Sequence, residues 1–302
     1  CYASLNAGKT LGIGNYDSAN IIHSNGKFYL LVGTSTSNRD HFYIVDAKTL
    51  YYENSAVVGA NLSGLTILNE QYGLVTGDGI RRIDLKSLNN VRIKNERLLC
   101  FYNSIIYNGK VLSNDTYKDE SKVKYYDVNE LIAAKEGEAP AVTELDIIQK
   151  QKINFVLAKD GNVYTLESAD NGCNIVKIKN DFTLEKVFAN FQPAKGPYHS
   201  SPTIGMVASE TENIIYLVST DGAIYKYILG DSDSLKAPFI AAESGVSITA
   251  PLQLNQQSGE LYVTYTEERK DESKIVVYSK DGKVLHTVDC GESVPSQILF
   301  NN

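Results

Sequence analysis

Only four cysteines occur in 302 residues, Cys1, Cys100, Cys173 and Cys290, and none belongs to a CxxC pair or a Cys/His cluster. That scarcity argues against a structural zinc site, whose ligands recur at short fixed spacings. Long apolar runs are missing as well. None approaches the roughly 20 residues that a membrane-crossing helix requires. Lys and Arg are scattered one or two per repeat in a chain of net charge −7, whereas nucleic-acid binding needs them clustered, so nucleic acid is excluded as a partner. Catalytic signatures are absent too: there is no GxSxG elbow, no Walker loop and no HExxH. The histidines, His23, His41, His199 and His286, lie far apart in sequence. Asp231-Ser232-Asp233 has no distal bidentate acid at calcium-loop spacing and reads as a solvated turn. The expectation is a protein with no enzymatic activity, no resident metal and no cofactor.

A sustained 3.6-residue apolar period is also lacking, except over Asn129 to Lys135, which reads as one or two helical turns. What is present is strand-rich usage, with 20 tyrosines beside abundant Val, Ile and Thr. These residues recur in a repeat. Apolar runs fall at Lys27-Phe28-Tyr29-Leu30-Leu31, Gln71-Tyr72-Gly73-Leu74-Val75, Gly109-Lys110-Val111-Leu112-Ser113, Asn162-Val163-Tyr164-Thr165-Leu166, Ile214-Ile215-Tyr216-Leu217-Val218 and Glu260-Leu261-Tyr262-Val263-Thr264, spaced by 44, 38, 53, 52 and 46 residues. A period near 45 residues, carrying about four short strands, is that of a propeller blade. The third run of each unit ends on a turn, as in Asp46-Ala47-Lys48-Thr49-Leu50 and Asp84-Leu85-Lys86-Ser87-Leu88, where Asp can bond its own following backbone.

Candidate inner strands number seven. They are Ala19–Ile22, Leu62–Leu68, Phe101–Ile106, Ile153–Leu157, Pro202–Val207, Ala250–Leu254 and Pro295–Phe300. Ring closure conventionally removes an exposed sheet edge by joining the two ends of the chain. The expectation is therefore an all-β, seven-bladed propeller spanning 1–302 as a single domain. Its seventh blade would be shared by the C-terminal strand and Cys1 to Gly8, and would be either short of strands or completed by residues upstream of Cys1.

One rim of a propeller gathers the loops that enter each inner strand and the hairpins between second and third strands. On this alignment the rim carries Tyr16, Arg39, Tyr102, Tyr117, Phe191, Tyr198, His199 and Tyr265, with the longest loop at 191–201. Tyr, Asn and Arg mixtures bury area at low entropic cost and offer hydrogen bonds, so these eight are the candidate residues for a small-molecule ligand. Cys1 has two readings. It is either the acylated cysteine left when a lipoprotein signal peptide is removed, the only membrane contact expected, or simply where the sequence begins.

The stretch from Thr10 to Asn20, leading to Asn25-Gly26-Lys27-Phe28-Tyr29 and Val45-Asp46-Ala47-Lys48-Thr49-Leu50, resembles the first blade of YncE-like surface propellers of Bacteroidota-type outer membranes. Met206 to Tyr216, Ala223 to Tyr227 and Pro295 to Phe300 are similar to later parts of the same family. The family includes BtuG-like cobamide-binding lipoproteins, although this chain lacks their Asn- and Gly-rich first strand pair and has no Trp. The resemblance implies a lipid-anchored protein of the outer-membrane cell surface that binds a cobamide, or a similar large metal chelate, and passes it to a TonB-dependent transporter. It transfers no ligand-contacting residue by motif; His199 would be the axial ligand to cobalt. A protein-interaction or surface-layer scaffold without a small ligand is the alternative.

Overall fold

The computed structural model describes residues 6, 16–34, 39–60, 62, 64–77, 79–94, 104–114, 121–138, 140–149, 154–194, 205–267, 272–291, 298 and 300. Two compact units divide the chain, one of residues 1–150 with 301, the other of 151–300 with 302. Among the described residues each contains three antiparallel sheets.

The first unit opens with blade 1, β1 (Tyr16–Ser24), β2 (Lys27–Thr34), β3 (Asp40–Asp46) and β4 (Tyr52–Gly59). Blade 2 follows with β5 (Gly64–Ile67), β6 (Tyr72–Gly77), β7 (Gly79–Asp84) and β8 (Asn90–Lys94). Blade 3 has β9 (Ile105–Tyr107), β10 (Lys110–Asn114), β11 (Ser121–Asp127), helix α1 (Val128–Ala133) and β12 (Val142–Gln149). In the second unit, blade 4 has β13 (Val156–Leu157), β14 (Val163–Ala169), β15 (Gly172–Ile178) and β16 (Leu184–Phe191). Blade 5 has β17 (Met206–Ala208), β18 (Ile214–Val218) and β19 (Ile224–Ile228). Blade 6 has β20 (Val246–Ile248) and β21 (Gln253–Leu254), both paired with β22 (Leu261–Glu267), then β23 (Ser273–Tyr278) and β24 (Val284–Gly291).

The fold is thus an all-β propeller of six blades, which corrects the expected seven. The run Pro295–Phe300 alternates like an inner strand but founds no sheet among the described residues. Phe300 instead sets its ring edge-on against Tyr262 of β22, with centroids 5.0 Å apart. At the other end Asn6 attaches to blade 1: its Nδ2 donates to Leu50 O at 2.8 Å and its Oδ1 accepts from Tyr52 N at 2.6 Å. The short helix expected over 129–135 is present as α1, and its N-terminus is capped by Asp127, which accepts from the backbone of Asn129 and Glu130.

Successive side chains of a strand point to opposite faces, so a strand with a sheet on either side must be apolar at every position. β6 shows the consequence. Val75 enters the core shared with Tyr29, Leu31 and Phe42 of blade 1, and Leu74 enters the core shared with Val111, Tyr126 and Leu131 of blade 3. In the second unit, Tyr164, Leu166 and Ile175 pack against Ile215 and Leu217, while Tyr216 and Val218 on the other face pack against Leu261 and Val263. Blade 5 has no fourth strand in its sheet; Ile240 bridges Ile224, and a 3₁₀ turn, Ser232–Leu235, follows β19.

The turns between third and fourth strands of blades 1 and 2 share one chemistry. Asp46 Oδ1 accepts from Lys48 N, Thr49 N and Thr49 Oγ1 at 3.1, 2.7 and 2.6 Å. Asp84 Oδ1 does the same with Lys86 N, Ser87 N and Ser87 Oγ. Leu50 and Leu88 close these turns at φ of 59° and 60°, a region costly for a side chain of this size and tolerated because the turn is otherwise satisfied. Hydrogen bonds from Thr49 hold the Asp46 carboxyl below the usual range, those from Ser87 do so for Asp84, and the Lys110 ammonium does so for Asp127.

Blades 2 and 3 are joined by a polar rivet. The Arg82 guanidinium donates through Nη1 to the carbonyls of Leu131, Ile132 and Ala134 at the C-terminal end of α1, and lies over the Tyr72 ring at 5.2 Å. A cation at a helix C-terminus is favoured by the aligned peptide dipoles. Just beyond α1, Gly137 N donates to Arg92 O of β8 at 3.0 Å.

Two outcomes follow. Arg82→Ala should destabilise the protein by about 1–3 kcal/mol in urea denaturation, and Arg82→Lys should recover only part of this, because an ammonium lacks the planar guanidinium that lies over the Tyr72 ring. A wild-type midpoint in both variants would refute the rivet. The lowered carboxyls of Asp46, Asp84 and Asp127 favour the folded state at pH values above the unfolded carboxyl pKa, about 3.9, and that contribution fades as pH falls toward the folded values. The melting temperature should therefore fall through the acid range, and the triple Asp→Asn variant should fall less steeply between about pH 5 and 2.

Candidate functional site

The two ends of the strands differ in how they are connected. At the end carrying the turns after third strands, most connections are short: 25–26 and 108–109 are two residues, 68–71 four, 255–260 six, and 47–51, 85–89, 158–162, 179–183, 209–213 and 279–283 five each, while 128–141 carries α1. At the opposite end, connections run from the single residue 78 between β6 and β7, through 95–104 before β9, to 192–205 before β17. Irregular loops on a rigid frame are where binding residues concentrate. This end is the rim on which the candidate residues were placed.

Buried polar groups fix the frame beneath the rim. Asp40, at the head of β3, is 1% exposed and accepts through Oδ2 from Leu62 N, tying blade 1 to the segment entering blade 2. Thr66 of β5 and Ser104, just before β9, join their hydroxyls. Asn114 Nδ2 donates to Gln149 Oε1 at 2.6 Å, linking the rim ends of β10 and β12 inside the protein. In the second unit Asn154 makes a two-way bond with Met206, donating to its carbonyl at 2.6 Å and accepting from its amide at 3.1 Å, so the inner edges of blades 4 and 5 are zipped together. Gln192 Nε2 donates to Asn171 O at 2.8 Å, and Thr249 and Thr266 share a hydroxyl bond of 2.8 Å. Thr76 Oγ1 and Ser113 Oγ, close to the rim ends of β6 and β10, are buried without a hydrogen-bond partner, an arrangement rare for hydroxyls.

The candidate residues occupy different environments. Tyr102, Tyr117, Tyr198 and His199 lie outside the described residues, as does Cys1. Tyr16 is the first residue of β1. Arg39 is exposed immediately before β3. Phe191 ends β16, 6% exposed, with its ring edge-on to Tyr225 at 5.8 Å. Tyr265 is 3% exposed and shares a 3.0 Å hydroxyl bond with Tyr278. Burial, reinforced by that bond, pushes its phenol well up, so it stays protonated. Sequence reading placed Asp40 in a rim hairpin but not among the eight candidates, and did not single out Asn114, Gln149 or Asn154. A lone Asn or Asp bordering an apolar run, as in Leu112-Ser113-Asn114, is the signal that could have marked them.

The other end of blade 4 carries a charged network. Asp160 Oδ2 accepts from Tyr164 Oη at 2.9 Å and meets Lys177 Nζ at 2.8 Å. Burial acts to raise the Asp160 carboxyl, but the bonds from Lys177, Asn162 and Tyr164 together hold it below its ordinary value. Lys177 also borders an open depression of about 480 Å³ with Asn162, Lys179, Asn180 and Asp181. Lys177 pairs with Asp160 and Lys179 with Glu185, at 2.8 and 2.9 Å, so both charges are already neutralised. Among the described residues no group of three or more His, Cys, Asp and Glu side chains could hold a metal ion. Cys173 and Cys290 are free thiols, and no described helix is long and apolar enough to cross a membrane.

Solved structures share this architecture. A prolyl endopeptidase structure matches 93% of the chain with a TM-score of 0.55 at 12% identity, the match spanning 44% of that longer chain. The β-propeller domain of Cps50 (Swd1) from Myceliophteria thermophila matches 92% of this chain and 91% of its own, with a TM-score of 0.53 and 13% identity. A streptogramin B lyase covers 88% and 81% respectively, with a TM-score of 0.50 and 14% identity. At such identities the likeness is one of fold alone, and it includes enzymes. No curated protein matches the sequence. A family model does match, across residues 1–301, and the chain belongs to that family, described as a domain of unknown function, DUF5074.

Proposed function

We propose that this protein is a non-catalytic binding propeller that captures a large metal chelate, a cobamide in the first instance, on the irregular rim, at the cell surface and for a TonB-dependent outer-membrane transporter. The observation that carries the reading is the length of two connections into inner strands, ten residues before β9 and fourteen before β17. Buried polar links hold the bases of the long connections in place, which lowers the ordering cost of binding. Tyr198 and His199 fall within the longest connection, 192–205. The cobamide and transporter parts rest on the resemblance to YncE-like surface propellers.

A scaffold reading has one observation in its favour. Val284, Leu285 and Val288 of the outer strand β24 are 59, 43 and 52% exposed, and apolar side chains gathered on one strand suit a protein contact.

Isothermal calorimetry with cyanocobalamin and with haem separates the two. Capture predicts a dissociation constant of about 10 µM or tighter for one of them, weakened in Tyr198→Ala and His199→Ala. Absence of heat with both ligands at tens of micromolar protein, about the range that detects such affinity, would sink the capture reading. Loss of a protein contact on Leu285→Lys would then support the scaffold.

A further inference from the structure

The seam between blades 1 and 2 and the seam between blades 2 and 3 can be compared residue by residue. The Asp that ends each third strand, Asp46, Asp84 or Asp127, stands opposite Lys27, Tyr72 or Lys110 of its second strand. Counted from those pairs, Leu31 and Thr76 are equivalent, and so are Val75 and Ser113. Leu31 and Val75 lie together in the core that blades 1 and 2 share. Thr76 is two residues beyond Leu74, and Ser113 two beyond Val111, both members of the core that blades 2 and 3 share. Strand alternation therefore turns Thr76 and Ser113 into that second seam, one layer nearer the rim. Where the first seam buries two aliphatic side chains, the second buries two hydroxyls.

The fold makes no use of either hydroxyl. Thr76 is 4% and Ser113 2% exposed, and Thr76 Oγ1 and Ser113 Oγ have no hydrogen-bond partner. Such a group costs stability that an aliphatic side chain in its place would not. Opposite Thr76 on the inner strand stands Gly64, which sets no side chain beside it. On the same face Thr66, opposite Leu74, joins its hydroxyl to Ser104. Cations that share the seam are engaged. Lys124, opposite Ser113, pairs with Glu144 at 3.6 Å, Lys94, opposite Ile80, lies over the Tyr126 ring at 5.7 Å, and Arg82, opposite Leu74, is held by α1. What the seam offers at this layer is neutral hydroxyls. Thr76 and Ser113 are each one residue from the rim end of their strands, the end at which the connection 95–104 enters β9.

We propose that Thr76 and Ser113 form a hydrogen-bonding slot at the rim end of the seam between blades 2 and 3, taking a neutral hydroxyl- or carboxamide-bearing group of the captured ligand. A hydroxyl both donates and accepts, so the pair matches a group that does the same in preference to an ion. The peripheral carboxamides of a cobamide belong to this class. The slot rests on rim capture as proposed above and deepens it.

Calorimetry with cyanocobalamin on the full chain, beside thermal melts of the ligand-free protein, tests the slot in Thr76→Val and Ser113→Ala. Each variant should bind about fivefold more weakly, the worth of one hydrogen bond, while melting no lower than wild type. A lower melting temperature in both variants would overturn the proposal, because the hydroxyls would then be serving the fold. Wild-type affinity in both variants would overturn it too, and would leave rim capture standing. Absence of heat with cyanocobalamin in the wild-type protein would overturn the slot together with cobamide capture.

Discussion

The middle strands have no side that faces water, and the rest of the architecture depends on that constraint. Tyr216 and Leu217 are adjacent in β18 and each is 1% exposed, yet they belong to different cores, one shared with blade 6 and one with blade 4. A residue in such a strand is fitted to two neighbours through one backbone. A volume change at one position therefore disturbs the packing on both sides, because interiors at close packing transmit strain. Buried tyrosines meet the same constraint by carrying a hydroxyl to the sheet margin, as Tyr164 does in reaching Asp160.

The repeat was legible because its signals are local. The apolar second strands and the Asp46 and Asp84 turns each follow from a few consecutive residues, and so does the capped helix after Asp127. Blade number was not legible in the same way. Pro295–Phe300 has the alternation of an inner strand, but a strand becomes a blade only by finding partners, and among the described residues no sheet is founded on it. Asn6 similarly gives no hint that it binds Leu50 and Tyr52, 44 and 46 residues away.

Within the candidate site, the long connections were visible as breaks between beats, whereas their supports were not. Asn114 and Gln149 are 35 residues apart and Asn154 and Met206 are 52 apart. Each residue alone looks like an ordinary polar flank of a strand.

The rivet between Arg82 and α1 also bears on how the first unit opens. Blade 2 lends a side chain to the helix of blade 3, and the loop after that helix returns a hydrogen bond to the outermost strand of blade 2. Neither outer edge can fray alone without breaking a bond held by the other. Blades 2 and 3 accordingly behave as one cooperative unit in local opening, so slow amide exchange should extend outward to the margin of blade 2, where an isolated blade would exchange fast.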